Sequence, residues 1–162
     1  MNDTIEIKKV SPKDVFLHLL AILTLYGSAT AFLVLIFQYV NIYFPDPISS
    51  DYYYLNSARG AIRWSISSLS VIFPVYILTS WFLNKSYLME PEKRNLRIRK
   101  WLVYFTIFTA SLIIIGDLVT LIYNLLGGEL TMRFILKVLA VFFVSGAVFF
   151  YYFWDLKKYK IE

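Results

Sequence analysis

The chain has 162 residues, 59% of them hydrophobic and 19% aromatic, with a formal charge of +5 and a mean hydropathy of +0.61. That is too apolar for a soluble domain of ordinary usage, so the sequence specifies an integral membrane protein, and the basic excess reads as topology signal and headgroup contact rather than a nucleic-acid surface. The absence of cysteine and the single histidine exclude disulfides, thiolate nucleophiles, cysteine-ligated zinc, iron–sulfur clusters and a bis-histidine haem within one chain; no cofactor or metal is expected.

Met1 to Val10 is polar and mixed in charge, without an apolar h-region or a small-residue cleavage site, so no removable signal peptide is expected and the first helix should act as its own anchor. Ser11-Pro12-Lys13-Asp14 announces that helix, with a Ser N-cap, Pro in the first position and an acid near the positive end of the macrodipole. It should run over about residues 12–44, roughly 48 Å, which exceeds the hydrocarbon thickness and implies tilt or projection. Pro45-Asp46-Pro47 stops it. Ser28, Ala31, Leu35 and Gln38 share one face, and Gly27 with Ala31 allows a neighbouring helix to approach closely. His18, near the start, admits three roles: a titrating group, a headgroup contact or a hydrogen-bonded filler.

Residues 48–57 read as a short outer loop, with Tyr52-Tyr53-Tyr54 in an interfacial aromatic belt. A second helix is expected over about 58–84. Arg59, Arg63, Ser67, Ser70 and Pro74 lie on one face that continues to Trp81, and this face should point into the bundle. Pro74 should kink the helix, with the serines available to satisfy the freed carbonyl. Residues 85–100 form a basic cytoplasmic loop that should meet anionic lipid headgroups at about 1 kcal/mol per basic residue. Within it, Glu90-Pro91-Glu92 offers a helix start ahead of Trp101.

The third and fourth helices are expected over about 101–126 and 129–154. Asp117, Thr120 and Asn124 share a face of the third; Arg133, Lys137, Ala140, Val144, Tyr151 and Asp155 form the seam of the fourth. Lys157-Lys158-Tyr159-Lys160 is a basic tail. Twelve of the 16 Lys and Arg fall on the side of the termini, which by the positive-inside rule makes both termini cytoplasmic, as an even number of spans requires. The fold class is therefore an all-α, four-transmembrane-helix antiparallel bundle, one domain over residues 1–162.

Gly127 and Gly128 place the last two helices in a hairpin, with Asp117 and Lys137 each about ten residues, or roughly 15 Å, from the turn. A lone charge near the bilayer midplane costs on the order of 3 kcal/mol, so two at matched depth are most economically read as partners. Arg59, Arg63, Glu129 and Arg133 come to the outer level beside them, a cluster of four bases and two acids that would attract an anion or be neutralised within a purely structural network. Two functions follow. The first is an oligomeric channel or transporter for ions or small anions, with Asp117 and Lys137 as a titrating or gating pair, Arg63 and Arg133 selecting anions and Pro74 permitting movement. The second is a non-catalytic membrane subunit or scaffold whose charged network specifies the fold and whose aromatic stretch Phe149 to Trp154 meets lipid or a partner chain. An intramembrane enzyme ranks last, because no nucleophile–base pair or metal-ligand set stands at useful spacing. Expected partners are anionic lipid headgroups and a homo-oligomer or another membrane protein.

Ser11-Pro12-Lys13-Asp14, Phe73-Pro74-Val75-Tyr76, Arg99-Lys100-Trp101-Leu102, Gly116-Asp117-Leu118-Val119, Gly127-Gly128-Glu129-Leu130-Thr131 and Tyr151-Tyr152-Phe153-Trp154-Asp155 are spread over nearly the whole chain. In these stretches the sequence resembles small bacterial four-helix membrane proteins catalogued as a domain of unknown function. The resemblance implies a bacterial inner-membrane setting and a single four-span domain. It carries no activity and no catalytic residue.

Overall fold

The computed structural model describes residues 11–45, 52–128 and 130–159. Four helices follow in order: α1 (Pro12–Tyr43), α2 (Tyr52–Met89), α3 (Arg97–Gly127) and α4 (Met132–Tyr159), with a 3-10 turn over Pro91–Asn95. All four are long and apolar enough to cross a membrane, and no strand occurs among the described residues. The protein is a multi-pass, all-α membrane protein.

Ser11 and Pro12 start α1 as expected, with a difference in the cap. Ser11 contributes its carbonyl, which accepts from the backbone N–H of Asp14 at 2.9 Å, and not its side chain. The carboxylate of Asp14 is turned instead to Lys93, 3.4 Å away. At the opposite end of the molecule Gly128 adopts φ +70, the left-handed conformation that ends a helix, and its N–H bonds back to Leu125 O. Thr131 then starts α4, its hydroxyl accepting from Phe134 N–H at 3.2 Å. Glu129, the acid expected just past this turn, lies outside the described residues, as do Met1 to Val10, Asp46-Pro47 and Lys160.

The chain forms two antiparallel hairpins, α1–α2 and α3–α4, with α1 as the central helix that also meets α3 and α4. Small side chains decide the first hairpin. Ala58, Ser65 and Thr79 of α2 recur at seven-residue intervals or multiples of them and are all buried, as are Ala21, Thr24, Ser28 and Ala31 of α1. Apolar side chains gain little by leaving lipid for one another, so close backbone approach along such seams supplies the attraction. A Cβ on Gly27 would stand 3.4 Å from the Ile72 side chain, and Ala31 is wholly enclosed, which is the close approach expected at these two positions.

That seam corrects the expected orientation of α2. Arg59, Arg63, Ser67, Ser70 and Pro74 are exposed, and so is Trp81. The polar face points away from the bundle because it has little need of it: Ser70 Oγ donates to Ile66 O on its own helix, and long arginine stems can carry their heads towards an interface. α2 also begins at Tyr52 and reaches Met89, so the expected outer loop and the start of the basic loop are largely helical, and it continues through Pro74 as one helix. The basic segment is a 3-10 turn between two long helices rather than an open loop.

Candidate functional site

Of the six charges expected to cluster, Glu129 lies outside the described residues, and among the others Arg133 and Lys137 both reach α1. Arg133 Nε donates to Asn41 Oδ1 of α1 at 3.0 Å, and Asn41 in turn donates to Gln38 at 3.3 Å. Lys137 Nζ stands 5.5 Å from the centre of the Phe37 ring, also on α1. Arg59 and Arg63 are exposed on α2, a helix that does not approach α3 or α4 closely.

Asp117 and Lys137 form no ion pair among the described residues; Asp117 Oδ2 is enclosed without a hydrogen-bond partner. Equal distance from the turn sets height but not direction. The buried seam of α4 passes through Val138 and Ser145, and Lys137, one residue or about 100° away, is turned to α1. Thr120 and Asn124, on the Asp117 face, bond to carbonyls of their own helix at 2.8 and 2.9 Å.

The connected polar network is at the other end of the bundle, where the described termini lie. His18 Nδ1 is 2.6 Å from the carbonyl of Asp14; a carbonyl only accepts, so Nδ1 carries the hydrogen. In the neutral ring Nε2 then accepts from the Tyr87 hydroxyl, also at 2.6 Å. The Tyr87 ring in turn lies beneath two guanidinium groups, Arg99 at 5.1 Å and Arg94 at 5.6 Å. Arg99 is ion-paired with Asp155 of α4 and donates a second bond to Arg94 O at 3.0 Å.

This chain runs from α1 through α2 and α3 to α4 and ties the two hairpins where no backbone packing between α2 and α4 does so. Arg99 is only 5% exposed. A guanidinium enclosed to that degree needs its carboxylate, since removing either partner strands a charge in a medium that solvates it poorly.

Around the network lies a cleft. A narrow inner part of about 80 Å³ takes its walls from all four helices, including His18, Ser80, Asn84, Arg99 and Tyr152. An outer part of about 410 Å³ shares Asn84, Tyr87, Arg99, Tyr151 and Asp155 with it and adds Arg94, Trp154 and Lys158. The lining of the outer part thus carries three cations and one carboxylate. It can hold an anion, offering charged donors, the Tyr151 hydroxyl and the Asn84 amide along one wall.

By charge pattern Arg99 belongs to the basic segment and Asp155 to the end of the α4 seam, and nothing local in the sequence marks Tyr87. One signal could have joined them: Arg99 and Asp155 stand at the same end of adjacent antiparallel helices, as Asp117 and Lys137 do, and are an acid and a base.

The architecture is that of a four-span membrane protein with a cation-lined cleft between two hairpins. The chain belongs to the family described as Domain of unknown function (DUF5671), whose model matches residues 14–152. The matched stretch contains His18, Tyr87 and Arg99 and stops three residues short of Asp155. No curated protein and no solved structure matches the chain.

Proposed function

We propose that the protein is an anion-binding membrane protein that holds its ligand in the cleft at the basic end and passes or presents it by movement of the two hairpins. The observation that carries this reading is the cleft itself, walled by all four helices and lined in its outer part by Arg94, Arg99 and Lys158. Positive-inside bias supports a cytoplasmic setting for this end, and a bacterial inner membrane is the setting that the sequence resemblance implies. Transport along a path through Asp117 and Lys137 draws less support, because those side chains face different neighbours. The test is thermal unfolding of purified protein in neutral detergent with soluble and amphiphilic anions at matched ionic strength. A midpoint raised by at least one anion in the wild type but not in Lys158→Gln is expected; no response to any anion would overturn the reading.

A second reading, a subunit that pairs with another membrane chain, draws on Asp117. All the buried residues of α3 lie between Arg99 and Ala110. Beyond Ala110 no residue of α3 is fully buried; Leu118, Val119 and Ile122 are exposed, and beside them the half-buried Asp117 carries an unsatisfied carboxyl oxygen. A partner helix bringing a donor to Asp117 would relieve that deficit. The mass of the protein in detergent tests it: an oligomer that Asp117→Leu dissociates is expected, and a monomer in both forms would dismiss it.

A further inference from the structure

The cleft does not stop at its polar walls. Tyr76, which lines its inner part, also lines an apolar groove of about 450 Å³ between α1 and α2. On α1 the lining steps from His18 and Ile22 to Leu25, Ala29 and Phe32; on α2 it steps from Asn84 and Ser80 to Tyr76, Phe73 and Leu69. Both series advance by three or four residues and so stay on one face of each helix. From His18 to Phe32 the path is about 20 Å long, which takes it from the basic end to near the middle of a span.

Three zones therefore follow one another: an outer zone with Arg94, Arg99 and Lys158, a narrow zone with Ser80, Asn84 and Tyr76 whose lining charges, Arg99 and Asp155, are paired with each other, and the apolar groove. A charged head, a polar ester neck and a hydrocarbon tail occur in the same order in a phospholipid. We infer that the cleft and groove together bind one phospholipid of net negative headgroup charge, headgroup at Arg94 and Lys158, glycerol ester region beside Asn84 and Ser80, and one acyl chain along Leu25, Ala29 and Phe73. This rests on the anion-binding reading and names its ligand. Charge complementarity selects the occupant: three cations and a single carboxylate line the head zone, and a phosphate accepts several charge-assisted hydrogen bonds at once. The gap between α2 and α4 supplies the entry route, because those helices are not packed together and an acyl chain can enter sideways from the bilayer.

The experiment is native mass spectrometry of the full chain in neutral detergent, titrated in turn with phosphatidic acid, phosphatidylcholine of the same acyl chains, and glycerol 3-phosphate. One phosphatidic acid per chain is expected to survive activation, with phosphatidylcholine retained roughly tenfold less or weaker still. The double variant Arg94→Gln, Lys158→Gln is expected to lose that preference. Ala29→Phe, which fills the groove, is expected to lose the lipid; Leu25→Trp replaces it if its unfolding midpoint shows that it does not fold. Equal retention of phosphatidic acid and phosphatidylcholine would overturn the inference. Glycerol 3-phosphate binding as tightly as the lipid would overturn it too, while leaving anion binding intact. Failure of all three compounds to bind would overturn the inference as well, and anion binding would then fall only if the unfolding midpoint responds to no anion.

Discussion

His18 of α1 and Tyr87 of α2, 69 positions apart, share a 2.6 Å hydrogen bond that fastens the first hairpin at the end opposite its own connection. The same phenol ring supports the Arg99 guanidinium at 5.1 Å, so one side chain couples the first hairpin to the second. The two halves of Tyr87 can be tested separately. Tyr87→Phe keeps the ring and strands His18 Nε2, and is expected to cost about 1 kcal/mol or somewhat more. Tyr87→Leu removes the cation–ring contact as well and is expected to cost about 1 kcal/mol beyond that. Unfolding midpoints in mixed micelles measure both, and equal losses would show that the hydroxyl alone matters.

The ion pair of Arg99 and Asp155 links α3 to α4 close to the basic surface. Arg99→Met or Asp155→Leu alone is expected to destabilise by about 3 kcal/mol, because each leaves the opposite charge behind, whereas the double variant should recover much of the loss. A double-mutant cycle on equilibrium unfolding reads the difference. Strict additivity would mean that solvent, and not the pair, carries these charges.

Gly27 tests the α1–α2 seam. A methyl group there would meet Ile72 at 3.4 Å, ordinary contact, and the exchange gains helix propensity, so Gly27→Ala should be neutral or stabilising by up to about 1 kcal/mol. Gly27→Leu must push the helices apart and should cost about 1–3 kcal/mol. Protease resistance of the two variants in detergent checks the order; a tolerated leucine would place the close approach elsewhere.

Lys93, in the 3-10 turn, stands 3.4 Å from Asp14 and 3.3 Å from Glu90. Desolvation pulls its pKa down, but the bonds and charges of Glu90 and Asp14 outweigh this and hold it above the ordinary lysine value of 10.5. A pKa raised on folding means stability that is complete at neutral pH and lost only as pH climbs past 10.5 through the folded value. The contacts reach solvent, so Lys93→Met should cost at most about 1 kcal/mol, less at high salt. Unfolding midpoints at pH 7 and above 10.5 measure it: the gap between wild type and variant should narrow at the higher pH.

Asp117 and Lys137 show where one-dimensional reasoning ends. Their sequence distances to Gly127 and Gly128 fix height in the hairpin, but direction around each helix depends on which residues form the contact seam. Val138 takes the seam position, and Lys137 is left to face Phe37. The polar face of α2 misleads for a related reason: Ser70 satisfies its hydroxyl on its own backbone and needs no interior partner.

From the sequence alone came four membrane spans, the Ser11-Pro12 start, the Gly127–Gly128 turn, the family and the basic end, because apolar run length, turn chemistry and charge distribution act locally along the chain. The central place of α1 against both α3 and α4, the outward turn of Arg59 and Arg63, and the meeting of His18, Tyr87, Arg99 and Asp155 were decided only in three dimensions. In lipid, apolar surface has no preferred side, so small-residue seams set each helix's rotation, and that rotation determines which polar groups can meet.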